Sequence, residues 1–67
     1  MRGRVTRFDE ARGLGAITAA DGTELPFHCT ALLDGTRTVS VDTEVDFEVR
    51  PGGLGRWEAT GIASAQG

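Results

Sequence analysis

The sequence predicts an all-β domain, and three observations carry that expectation. No stretch keeps apolar residues at i, i+3, i+4 and i+7 for three turns, so an amphipathic helix has nowhere to form. Val45-Asp46-Phe47-Glu48-Val49 alternates apolar and acidic residues with the period of two that a half-buried strand requires. Ten glycines spread over 67 residues interrupt any longer helix and mark turns.

Taken in order, β-branched and aromatic residues group between turn signals at Arg4 to Phe8, Leu14 to Ala19, Glu24 to Cys29, Val45 to Val49 and Trp57 to Ala63. Asp21-Gly22, between the second and third groups, predicts a two-residue type I′ hairpin with positive φ at both positions, which makes those strands antiparallel neighbours. Thr30 to Val41, with Asp34-Gly35 inside it, reads as a long connection opening with one helical turn. Pro51-Gly52-Gly53-Leu54-Gly55 reads as a flexible loop before the last strand. Five short strands with one long central connection are too few for two stacked sheets, and closing on themselves removes the exposed edges. The expected architecture is a single domain over residues 1–67, a five-stranded antiparallel Greek-key barrel of the OB type, with an SH3-like barrel as its competitor.

Composition narrows the function. A chain this short buries only about 60% of its unfolded surface, so its stability is expected to be small. The one cysteine, Cys29, cannot form an internal disulfide, and no Cys/His set has zinc spacing, so neither a metal nor another cofactor is expected. The charged opening MRGRVTRFDE lacks the apolar run of a signal peptide, and no stretch is long enough to span a bilayer, so the expected setting is cytoplasmic, away from membranes. Acid–base or nucleophilic catalysis needs paired groups held in a cleft. His28 and Cys29 are strand neighbours that point to opposite sides, so the chain is expected not to be an enzyme.

The net charge of −3 is the wrong sign for a simple polyanion binder. All seven cations, however, are arginines: Arg2, Arg4, Arg7, Arg12, Arg37, Arg50 and Arg56. A guanidinium stacks on bases and forks onto phosphates, although GC-rich codon usage produces the same bias. The carboxylates Asp42, Glu44, Asp46 and Glu48 cluster late in the chain, an arrangement expected to leave the early strands comparatively positive.

Arg12-Gly13-Leu14-Gly15-Ala16-Ile17 has the outline of a ribonucleoprotein motif, basic-Gly-x-Gly-x-Ile, with its two rings replaced by Leu14 and Ala16. A phosphate-cradling loop is excluded by the missing helix and Lys-Ser/Thr; a glycine-bearing strand that lets a barrel bend is the structural alternative. Gly3-Arg4-Val5-Thr6-Arg7-Phe8-Asp9 precedes this motif, and Asp21-Gly22 and then Leu25-Pro26-Phe27-His28-Cys29-Thr30-Ala31-Leu32 follow it. The ordered set resembles bacterial cold-shock domain proteins, whose pattern is Gly-x-Val-x-aromatic-Phe-Asn/Asp, then Lys-Gly-Phe-Gly-Phe-Ile, then Val-Phe-Val-His-Phe-Ser-Ala-Ile. Val45 to Val49 and Gly53 to Ile62 extend the likeness along the whole chain.

The resemblance implies an OB-type barrel whose second and third strands present rings to single-stranded RNA or DNA. It also implies RNA chaperoning and effects on transcription or translation under stress. At the family's ring positions this chain has Arg7, Leu14, Ala16, Pro26 and Cys29. The expected nucleic-acid-binding residues are Arg7, Phe8, Arg12, Leu14, Phe27, His28, Arg56 and Trp57. Phe8, Phe27, His28 and Trp57 would stack, and the arginines would meet phosphates or bases. The alternative for Phe8 and Phe27 is a place in the core, a reading that weighs more for Phe27 than for Phe8, and for Trp57 a plug at the barrel end. With five rings missing, reduced affinity is expected; the alternative is a barrel whose apolar patch of Leu14, Ala16, Pro26 and Phe27 now meets a protein. A monomer is expected, with strand exchange through the long connection as the other possibility.

Overall fold

The computed structural model describes residues 1–33, 38–52 and 55–65. Its five strands are β1 (Arg2–Asp9), β2 (Leu14–Ala19), β3 (Glu24–His28), β4 (Glu44–Pro51) and β5 (Trp57–Ser64), with a 3₁₀ turn at Cys29–Ala31 after β3. The strands lie in the order β3-β2-β1-β4-β5, every pairing antiparallel. Three consecutive strands followed by a fourth that returns beside the first is the Greek-key order. A parallel bridge from Leu32 to Ile62 joins the chain after β3 to β5, where the Leu33 N–H donates to the Ile62 carbonyl at 2.9 Å. This contact closes the sheet into the expected OB-like barrel. All five expected strands are present, and the helical turn opens the long connection. The Asp34-Gly35 turn signal and Gly53-Leu54 lie outside the described residues.

The core is the inner face of these strands. Val5, Ile17, Ala19, Leu25, Phe27, Val45, Phe47, Ala59 and Ile62 form one cluster, capped by Leu32. No polar or charged side chain is buried among the described residues. On β3 the alternation is strict: Leu25 and Phe27 point inward, Glu24, Pro26 and His28 outward. On β1 it is broken. Val5 faces Ile17 and Arg7 faces Ala16, so Thr6 is an extra residue, a bulge. Before the bulge Gly3 and Val5 point inward; after it Arg7 and Asp9 point outward and Phe8 turns to the core side. The Thr6 hydroxyl donates to the Ala16 carbonyl at 3.4 Å and accepts from the Thr18 hydroxyl at 3.3 Å, which ties the extra residue to β2.

The β2–β3 hairpin departs from the two-residue type I′ turn. Only Gly22 has positive φ, at 90°. The loop is three residues, Ala20 to Gly22, bounded by bonds from the Ala19 N–H to the Thr23 carbonyl at 2.8 Å and from the Gly22 N–H to the Ala19 carbonyl at 2.9 Å. A three-residue loop needs only one residue in the left-handed region, which Gly22 supplies, and the Asp21 carboxylate accepts from the Thr23 N–H at 2.9 Å in a local bond that ties the loop. That bond also holds the Asp21 carboxyl below its usual range.

Where β1 meets β4, Arg2 faces Asp46 and Arg4 faces Glu44. Arg2 Nε lies 3.0 Å from Asp46 Oδ1. That hydrogen bond is the main reason the Asp46 carboxyl sits below its ordinary range. Because folding favours the ionised form, this contribution to stability is complete above the ordinary carboxylate range near pH 4 and is lost as pH falls through the lower folded value. Asp46→Asn is therefore expected to lower the denaturation midpoint at pH 7, and the gap from the parent is expected to shrink as pH falls below the ordinary carboxylate range. A gap that stays constant with pH would refute the assignment.

Candidate nucleic-acid interface

Because β1, β2 and β3 are adjacent and in register, their outward side chains form rows across three strands. One row is Arg7–Ala16–Pro26, the next Asp9–Leu14–His28. The inward row between them is Phe8–Gly15–Phe27. A Cβ on Gly15 would lie 2.6 Å from Phe27 Cζ, so glycine is required for the ring to cross β2. Phe8 stacks on Phe27, ring centroids 6.0 Å apart and planes within 11°. Gly13 has φ 66°, and its carbonyl accepts from the Cys29 N–H at 2.7 Å, anchoring the start of β2 to the end of β3. The two motif glycines thus shape the face, while the rings that would cover it are absent.

Two grooves open on this surface and share Arg7. The first, about 500 Å³, is lined by Arg7, Phe8, Asp9, Arg12, Leu14 and neighbours including Val41. The second, about 410 Å³, is lined by Arg7, Ala16, Glu24, Pro26, Arg56, Trp57 and neighbours. The structure therefore brings together Arg7, Phe8, Arg12, Leu14, Arg56 and Trp57 from the expected set, with His28 beside Leu14. Phe27 does not join them. It is 2% exposed, because the β3 alternation that carries Leu25 inward carries Phe27 inward two residues later. Phe8 is half-buried, stacked against Phe27. Trp57, 58% exposed, is the open ring of the second groove, and Leu14 is 46% exposed in the first.

His28 is exposed and held at the start of the 3₁₀ turn. Its Nδ1 accepts from the Thr30 N–H at 3.3 Å and lies 3.0 Å from the Thr30 hydroxyl. In the neutral ring this leaves Nε2–H as the donor for a ligand.

The electrostatics differ from the expectation of positive early strands. The acidic strand β4 lies directly beside β1, so Asp46 and Glu44 face Arg2 and Arg4; separation along the chain was not separation in space. Two residues absent from the expected set also matter. Glu24 Oε1 lies 3.2 Å from Arg7 Nη2, and Asp9 Oδ2 lies 3.8 Å from Arg12 Nε. The Asp9–Arg12 pair has a sequence signal in its three-residue spacing, closed by the Arg12 N–H donating to Asp9 Oδ1 at 3.3 Å. Glu24 has none, since only the strand register brings it to Arg7. Among the described residues Arg56 makes no ion pair, and no cluster of three or more His, Cys, Asp or Glu residues could hold a metal. No described helix is long and apolar enough to cross a membrane.

Residues 1–65 match the 'Cold-shock' DNA-binding domain family. A cold shock-like protein of Thermotoga maritima is 36% identical over 56 residues, covering 82% of this chain and 85% of that protein. Cold shock-like protein CspC of Escherichia coli K12 is 37% identical over 57 residues, covering 82% and 83%, as is that of Shigella flexneri. The barrel with its outward β1–β3 face defines a nucleic-acid-binding domain of the OB type. The chain belongs to the cold-shock DNA-binding domain family.

Burial separates the roles of the two rings. Phe27→Ala removes a buried ring, a loss of about 3–5 kcal/mol that would leave a domain this small largely unfolded at 25 °C. Trp57→Ala is expected to shift the melting temperature by only a few degrees while weakening single-strand binding by about tenfold. Thermal melts and a binding titration on both variants check this.

Proposed function

We propose that this protein binds single-stranded RNA or DNA along the outer face of β1–β3, acting by binding and not by catalysis. The observation that carries the reading is the pair of grooves sharing Arg7, in which guanidinium groups, Leu14 and the exposed Trp57 ring line one surface, with His28 the strand neighbour of Leu14. Bases stack on rings and guanidinium planes, and arginines meet phosphates. The family supports single-stranded partners, with roles as an RNA chaperone or as a regulator of transcription or translation in the cytoplasm. A monomer is sufficient, because both grooves are built from one chain.

Affinity is proposed to lie below that of ring-rich relatives. Each base–ring stack contributes about 1–3 kcal/mol, so five missing rings at the low end weaken binding roughly several thousandfold. The pairing of Arg7 with Glu24 and of Arg12 with Asp9 adds to this, since a phosphate must compete with a carboxylate already in place.

Fluorescence anisotropy of labelled oligo-pyrimidine and mixed strands, at low and physiological salt, tests the reading. Binding at about micromolar strength is expected, with a log–log salt slope of roughly −2 if Arg7, Arg12 and Arg56 neutralise three phosphates. Leu14→Phe, which places a ring at an exposed position already on the face, is expected to tighten binding about tenfold. No binding at low salt would overturn the proposal and redirect attention to a protein partner.

A further inference from the structure

We propose that the groove beside Trp57 selects guanine, making Glu24 a specificity-determining residue of the single-strand interface; this rests on the nucleic-acid reading above. The groove has an apolar floor, with Ala16 2% exposed and Pro26 its strand partner. Trp57 supplies an exposed ring on one side, and the Arg7–Glu24 pair stands on the same groove. A base laid against the indole over this floor therefore meets a carboxylate and a guanidinium at its polar edge.

Arg7 Nη2 contacts only Oε1 of Glu24, at 3.2 Å. The second carboxylate oxygen and the remaining guanidinium N–H groups are available to a ligand. Guanine presents two adjacent donors, N1–H and the 2-amino group, that match the two oxygens of a carboxylate, and its O6 follows as an acceptor for arginine. Uracil presents one N–H flanked by two carbonyl oxygens, which face the carboxylate unfavourably. Adenine offers one amino group beside an acceptor nitrogen. Cytosine offers one amino group to Glu24 and two acceptors to Arg7, and ranks second. A site built to receive a donor pair rejects analogues that lack one of the donors. The larger purine face also covers more of the indole.

Trp57 is the single tryptophan and the chain has no tyrosine, so intrinsic emission reports on this groove. The test uses labelled oligo-uridine strands carrying one central guanosine, one central inosine, or neither. Each is titrated into the full chain while strand anisotropy and Trp57 emission are read together. Inosine lacks only the 2-amino group, so the guanosine strand is expected to bind about tenfold more tightly than the inosine strand, with quenching of Trp57. Glu24 is solvent-exposed, so Glu24→Gln keeps the fold; its amide replaces one acceptor with a donor, and the guanosine preference is expected to vanish. Equal affinity for guanosine and inosine strands, or a preference that survives Glu24→Gln, would overturn the subsite and leave the nucleic-acid reading standing. Binding by anisotropy without a change in Trp57 emission would do the same. Failure of every strand to bind would overturn both.

Discussion

The extra residue at Thr6 is the constraint on which the outer face depends. Without it, β1 would keep its alternation, sending Arg7 into the core and Phe8 to solvent. With it, the guanidinium reaches the face and the ring turns to stack on Phe27. Two threonine hydroxyls hold the bulge against β2, so the inversion is locally bonded. The consequence spreads across three strands: once Phe8 is turned inward, Gly15 must have no side chain for Phe27 to cross, and the rows on either side of Gly15 become the outward ones. One residue of register thus decides which side chains the outer face presents.

Much of the fold was legible because its signals are local. Val45 to Val49 alternates in the residues themselves, and the turn glycines lie beside the strands they end. The β3 alternation was equally legible: Leu25, Pro26 and Phe27 already imply that Phe27 shares the inward side with Leu25. The aromatic character of Phe27 suggests a stacking ring, but its parity with Leu25 assigns it to the core. The bulge was not legible, since Arg4-Val5-Thr6-Arg7-Phe8 carries no mark of where an extra residue sits, and its threonine partners lie on another strand. The placement of charge is not legible for the same reason. The late carboxylates lie far from Arg2 and Arg4 in sequence, yet Greek-key order returns β4 to the side of β1 and faces them together.

The surface that results is balanced more than it is basic. Arg2, Arg7, Arg12 and Arg50 each stand against a carboxylate. Exposed pairs of this kind add little stability, about 0–1 kcal/mol each, so their stronger effect is on what else the arginines can bind. A phosphate approaching Arg7 or Arg12 replaces a partner instead of filling an empty site, which lowers nonspecific attraction to any polyanion. Hydrogen-bonding edges that can use the carboxylate as well as the guanidinium lose nothing by its presence. On the proposed nucleic-acid reading, a face with few rings and paired charges is expected to depend more on matching a base edge than on stacking and counterion release.

Pro26 joins this argument to the way the barrel ends. The bonded ends of the β2–β3 ladder, Gly13 with Cys29 and Ala19 with Thr23, place the Ala16–Pro26 pair between hydrogen-bonded pairs in the antiparallel alternation. The N–H that proline lacks would therefore have pointed away from β2, toward the edge that faces β5. No ladder joins β3 to β5 among the described residues, and closure comes later, at Leu32 and Ile62. A strand edge with free donors is a template for another chain. Proline removes the central donor from that edge, and exposed Glu24 and His28 flank it on the solvent side. The residue that replaces an aromatic ring on the face thus also blunts the edge beside it. The outer face stays accessible, while the backbone next to it offers little to a second copy.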